Sequence, residues 1–225
     1  MNTSNHETER HGAVRAVLAG LLLAWFAATY AIGVEGLLAN EGSSFFAPIA
    51  ITAAIPVAAF LAVYALSSWF RRFILSQDIR TLTMVQHWRV IGFAFLPLYF
   101  FGVLPGLFAW PAGLGDIAIG LATPFVIARI GRDSAWVTSA GLVRFHLLGL
   151  LDFAVAIATA GLSAGAFPSL IADGVTSAPL DVWPLNLFPS FLVPFFIILH
   201  LSVLLKVRHL RRSARHRVEL AVGTA

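Results

Sequence analysis

The chain has 225 residues, 59% hydrophobic and only 12% charged. A soluble domain carries about 25% charged residues, so this one has too few polar groups to wet a globular surface. It has no cysteine, which excludes disulfides, thiolate metal sites and a thiol nucleophile. The formal charge of +4 does not point to nucleic acid, because the basic residues fall between apolar blocks, where membrane topology places them.

The apolar residues come in long blocks rather than in strand-like alternation. A spanning helix needs about 20 mainly apolar residues, and six segments qualify. The expected fold is therefore all-α: a polytopic membrane protein with a bundle of six transmembrane helices over residues 14–207. A cytoplasmic tail (1–13) precedes it, and a basic cytoplasmic tail (208–225) follows.

The first span is 14–38, "VRAVLAGLLLAWFAATYAIGVEGLL". Its apolar stretch exceeds the roughly 7–15 residues of a signal-peptide core, so it is read as a retained helix. Glu35 lies near its far end. The second span is 45–69 and contains Pro56. The next stretch, "FRRFILSQDIRTLTMVQHW" (70–88), is too polar to cross. It reads as an interfacial helix with Phe70, Phe73, Ile74, Val85 and Trp88 on one face, lying on anionic inner-leaflet lipids. A solvated linker is the plainer alternative.

The third span, 90–108, opens beside Arg89. The fourth, 112–130, starts behind Trp110 and Pro111, and Pro is well tolerated at a helix start. That places Asp116 in or just beyond the first turn, near the outer surface, where a carboxylate suits the helix dipole. The fifth span, 142–167, holds Arg144, His146 and, about ten residues in, Asp152. Its "GLSAG" has the small-residue spacing of a close helix contact. A loop over 168–184 is long enough to fold back as a cap. The sixth span, 185–207, carries Pro194 and His200.

Orientation follows from the arginines. Arg10 and Arg15 precede the first span; Arg71, Arg72, Arg80 and Arg89 separate the second from the third; Arg129 and Arg132 separate the fourth from the fifth. Lys206 and five arginines follow the sixth. The three opposite loops hold Glu41, Asp173 and Asp181 and no Lys or Arg. Lys and Arg stay on the cytoplasmic side, so both termini are expected there, in a bacterial-type inner or plasma membrane. Arg89 and Arg144 are read as inner-surface charges.

Pro56, Pro124 and Pro194 recur 68 and 70 residues apart, each before a basic end. With "RAVLAGLL" and "RFHLLGLL" they suggest three pseudo-repeated hairpins, as parallel repeats do in transporters. Chance alignment of common membrane residues is the alternative. Internal prolines also free the carbonyls of Thr52, Phe93, Gly120 and Ser190, which must find partners or line a cavity.

The residues expected to carry chemistry are the polar ones inside spans. Asp152 costs about 2.5–3.5 kcal/mol at a helix centre, so it should face the bundle interior, paired, protonated or wet. His200 can relay protons. Asp116 and Glu35 would line an outer entrance to a path through Asp152 and His200. No cofactor is predicted from motifs; His146 and His200 on adjacent spans are the only conceivable haem pair. No phosphate loop, nucleophile elbow or zinc spacing argues for an enzyme.

The leading expectation is a transporter or permease-like protein for a small solute or proton-coupled ion. A membrane-embedded redox protein and a non-catalytic scaffold or assembly subunit are the alternatives. Expected partners are the bilayer, its anionic lipids and the solute, with no nucleic acid and with oligomers allowed.

Overall fold

The computed structural model describes residues 3–39, 48–167 and 174–223. The described residues form helices and turns, with no strand among them. Four helical stretches are long and apolar enough to cross a membrane: Ala16–Val34, Gly106–Arg132, Ala140–Leu162 and Phe188–Arg217. A fifth candidate is Ala50–Leu66 joined to Ser68–Ser76 through a bend of 107°.

The elements are α1 (Thr3–Val34), α2 (Pro48–Leu66), α3 (Ser68–Ser76), α4 (Ile79–Met84), α5 (Phe95–Phe100), α6 (Gly106–Arg132), α7 (Ala140–Leu162) and α8 (Val193–Gly223). A 3-10 segment, Val85–Ala94, joins α4 to α5 without interruption. A π-helical turn, Phe188–Leu192, leads into α8 ahead of Pro194. Such a wide turn fits a chain that must accommodate a proline lacking its N–H.

The expected interfacial helix over 70–88 is divided. Its first half is α3, turned away from α2 where Ser67 caps it, accepting from the Phe70 N–H at 3.2 Å. Ile74 faces inward and Arg71 and Arg72 face outward. Its second half begins another helical run. Asp78 caps α4 by accepting from the N–H and hydroxyl of Thr81, both at 2.8 Å. Partial burial raises the Asp78 pKa, but these hydrogen bonds outweigh it and hold the carboxyl below its usual range.

The expected third span, 90–108, is likewise not one α-helix. The helical run starts at Ile79, and the chain turns after Phe100, with Gly102 at φ 68. That left-handed conformation costs glycine nothing. The next helix starts at Gly106 behind an extended Pro105, rather than at Pro111. Pro111 is tolerated inside because the added turn buries Phe108, Ala109 and Ala112. Asp116 is therefore well into α6, not in its first turn.

"GLSAG" is not a packing site but a helix end: α7 stops at Leu162, and Gly165 has φ 109. In the expected cap, residues 168–173 lie outside the described residues, as do Glu41 and Asp173. The remainder packs back on α7. The Ser177 hydroxyl donates to the Ala160 carbonyl at 2.7 Å, and Leu180 enters the core. Trp25 packs edge-on against Phe191 with centroids 4.8 Å apart.

Two apolar clusters sit at opposite ends of the bundle. One gathers Phe95, Leu104, Phe108, Ala109, Ala112 and Leu180. The other gathers Ile79, Leu142, Val203 and Val207. The polar residues discussed next fall between them in every contributing helix.

Candidate functional site: a buried arginine between two aspartates and a histidine pair

The helical run from α4 to α5 buries Thr83, Gln86, Arg89, Gly92 and Phe95. The spacing is three residues throughout. In a 3-10 helix, residues i and i+3 eclipse one another, so the winding of Val85–Ala94 puts Gln86, Arg89 and Gly92 on one line, with Thr83 and Phe95 in the flanking α-helices at its two ends. An α-helical reading disperses them around the axis. Arg89, expected as an inner-surface charge, is instead fully buried, at 0% exposure. Arg144, by contrast, is exposed.

Arg89 is held on every side. Its Nε donates to Asp116 Oδ1 on α6 at 2.7 Å, and its Nη2 pairs with Asp152 Oδ2 on α7. Its Nη1 donates to the Gly149 carbonyl at 3.3 Å and to His200 Nε2 on α8 at 3.2 Å. The guanidinium carbon lies 3.9 Å from the Phe153 ring centroid, within cation–π range. A planar fork of donors suits this arrangement, and a lysine ammonium would not. The structure thus brings Asp116, Asp152 and His200 together around Arg89. Asp116 enters as a direct partner of Arg89, not as the lining of an outer vestibule. Glu35 is exposed in the turn after α1 and is no part of the cluster.

The cluster fits only because three helices carry glycine where it sits. A Cβ on Gly115 would lie 1.6 Å from Asp152 Oδ1. One on Gly92 would lie 2.4 Å from Asp116, and one on Gly149 would lie 2.4 Å from the His200 ring. Another face of α6 packs as tightly: a Cβ on Gly120 would meet the Val90 backbone at 2.8 Å.

A hydrogen-bond chain leaves the cluster. His200 Nδ1 and His146 Nδ1 are 2.7 Å apart, and His146 Nε2 is 3.3 Å from Thr83 Oγ1. The Thr83 hydroxyl donates to the Ile79 carbonyl at 2.7 Å. The proton positions follow from the donors at its ends. Arginine only donates, so His200 Nε2 accepts and its proton is on Nδ1. His146 Nδ1 then accepts, and its own proton is on Nε2, directed at Thr83. Histidine-selective ¹⁵N spectra should show His200 protonated at Nδ1 and His146 at Nε2. The reverse tautomers would contradict this chain.

His87 is a separate case. Its Nδ1 donates to the Gly120 carbonyl at 2.9 Å, the carbonyl freed by Pro124. That proline therefore marks a satisfied kink rather than an open ligand. Gln86, on the buried line, donates from Nε2 to the Phe196 carbonyl at 3.3 Å, while its Oε1 is buried without a partner among the described residues. Thr83 and Gln86 were not singled out from the sequence; their period-three spacing with Arg89 was the available signal.

A haem does not fit His146 and His200 as they stand. Their Nδ1 atoms bond each other, and both Nε2 atoms are engaged. Among the described residues no group of three or more His, Cys, Asp or Glu could hold a metal ion.

A family model for a domain of unknown function, DUF8737, matches residues 46–208. The chain belongs to the DUF8737 family. No curated protein and no solved structure matches it. In this DUF8737 chain the matched region includes Thr83, Arg89, Asp116, His146, Asp152 and His200, and it excludes α1.

Proposed function

We propose that this DUF8737 protein is a permease-like integral membrane protein that moves a small solute or ion in exchange for, or together with, a proton. The observation that carries the reading is a guanidinium at 0% exposure clamped between carboxylates from two different helices. Charges at that depth are expensive and mark substrate or proton pathways. Counted formally, one guanidinium and two carboxylates leave one negative charge, which a single proton or monovalent cation neutralises.

The chain His200–His146–Thr83 supplies a route for that proton toward the Ile79 end. A proton arriving at His200 Nε2 lets the Nδ1 proton pass to His146 Nδ1, and the Nε2 proton of His146 pass to Thr83 Oγ1 as that hydroxyl turns from the Ile79 carbonyl and gives its own proton to water admitted when the Ile79 end opens. Both rings then hold the opposite tautomer and must turn to reset. Arg89 is the gate, because Nε2 cannot take a proton while Nη1 donates to it. The apolar clusters at both ends close the site, as an occluded intermediate of alternating access requires.

In this reading the membrane is crossed six times: by α1, by α2, by the run Ile79–Phe100, by α6, by α7, and by the Phe188–Leu192 turn continued into α8. Both termini are cytoplasmic, by the arginine bias. Arg208, Arg211, Arg212 and Arg215 line a concavity of about 260 Å³ that suits anionic lipid headgroups. The spacing of Pro56, Pro124 and Pro194 supports three repeated hairpins.

The decisive experiment is proton flux in proteoliposomes with a lumenal pH dye and an imposed potential. The wild type should conduct or exchange protons, and Asp152→Asn and His200→Ala should lower the rate at least tenfold. No wild-type flux with a panel of inorganic cations and small organic solutes, or equal flux in the variants, overturns the reading. A Soret band in the purified protein would favour the redox alternative.

Topology is tested separately. The native chain has no cysteine, so single cysteines report cleanly. In intact cells, Ala164→Cys should react with an impermeant maleimide and Ser134→Cys should not. Labelling of both, or the reverse pattern, would refute the orientation.

A further inference from the structure

A second cavity lies away from the arginine cluster. It measures about 990 Å³ and separates α2 from α7, floored by Pro189 and Ile197 of the α8 limb. Its walls are shaved by small residues: Ala54 and Ala58 on α2, and Ala154, Ala158 and Gly161 on α7. The stripe from Ala50 to Leu61 makes it about 17 Å long by helical rise. Among the described residues, Ser177 and Asp181 are the only polar side chains lining it, and both sit at one end.

Ser177 is spent on the Ala160 carbonyl. Asp181 is not: it is 7% exposed, it lines the cavity, and its carboxylate has no hydrogen bond or ion pair among the described residues. A buried carboxylate without a partner is costly, and burial pushes its pKa up to about 6. A long apolar trough with one unmatched acid at its end is the complement of an apolar tail with one cationic head.

We propose that this cavity binds a long-chain amphiphile with a protonated amine head, the tail lying between α2 and α7 and the head paired with Asp181. The observation is independent of the transport reading. An acyl chain from any neutral lipid could fill the walls, but it would leave Asp181 unmatched.

The test uses the full chain in phosphatidylcholine nanodiscs, titrated with radiolabelled dodecylamine and, in parallel, dodecanol. Dodecylamine should bind saturably at one per chain, at least tenfold more tightly than dodecanol. Asp181→Asn, which is nearly isosteric, should abolish that preference, and Asp181→Glu should retain most of it. Ala158→Trp, which fills the trough, should prevent binding of both. Helical content and thermal unfolding confirm that each variant is folded; if the tryptophan variant does not fold, the asparagine variant decides. Equal binding of amine and alcohol, or an unchanged preference in Asp181→Asn, overturns the proposal.

Discussion

Replacing Arg89 by methionine should destabilise the protein by about 3–5 kcal/mol, the usual cost of stranding buried charge by removing its partner. Asp116 and Asp152 would then face each other without the guanidinium, and His200 and the Gly149 carbonyl would lose a donor. Arg89→Lys should recover little of this. An ammonium cannot donate in the plane to two carboxylates, a carbonyl and an imidazole at once. The informative variant is the triple one, Arg89→Met with Asp116→Leu and Asp152→Leu. Removing a complete buried ionic set is often neutral or stabilising, so the triple variant should regain most of the stability lost in the single one. It should also carry no flux. Denaturant unfolding in detergent measures the first quantity and the proteoliposome assay the second. A single variant within about 1 kcal/mol of wild type would show that the guanidinium does not compensate the acids. A triple variant that transports normally would remove the cluster from function while leaving its structural role intact.

The second large effect concerns the glycines. Gly115→Ala places a Cβ 1.6 Å from Asp152 Oδ1, and Gly149→Ala places one 2.4 Å from the His200 ring. Neither neighbour is free to swing away, because each is bonded to Arg89. Each substitution should therefore cost about 1–3 kcal/mol as overpacking and should disturb the carboxylate or imidazole that the proton route uses. Gly20→Ala is the control. Nothing lies within 4 Å of its added Cβ, and in mid-helix alanine is favoured over glycine by about 0.5–1 kcal/mol. The same chemical change should thus stabilise at Gly20 and destabilise at Gly115 and Gly149. Thermal unfolding of the three variants reads the sign directly. Equal, small effects at all three would mean that the helices are not packed as closely around the cluster as described.

The physical content of the site explains which parts of it could be read in advance. Asp152 and His200 announced themselves because a polar side chain deep in an apolar block needs a reason, whatever its neighbours. Asp116 carries the same signal, but Pro111 is a good helix opening and by itself points to a helix start near Asp116. Only the burial of Phe108, Ala109 and Ala112 selects the earlier start at Gly106. Arg89 carries the opposite signal: it ends the polar stretch 70–88 and opens an apolar block, which is where a surface cation is expected.

What the residue order determined by itself is the solvent-facing chemistry of each segment: helices too apolar for water, arginines gathered at one set of ends, acids and histidines placed inside. Those properties are local, because each depends on the transfer cost of a side chain taken alone. What only the tertiary structure decided is the winding and company of Arg89. A 3-10 run aligns Gln86, Arg89 and Gly92, and partners from α6, α7 and α8 converge on the guanidinium at once. Burying that charge is tolerable only when all of them arrive together. The period-three spacing marks one side of that balance, but the partners from the other helices leave no trace in the segment that carries Arg89.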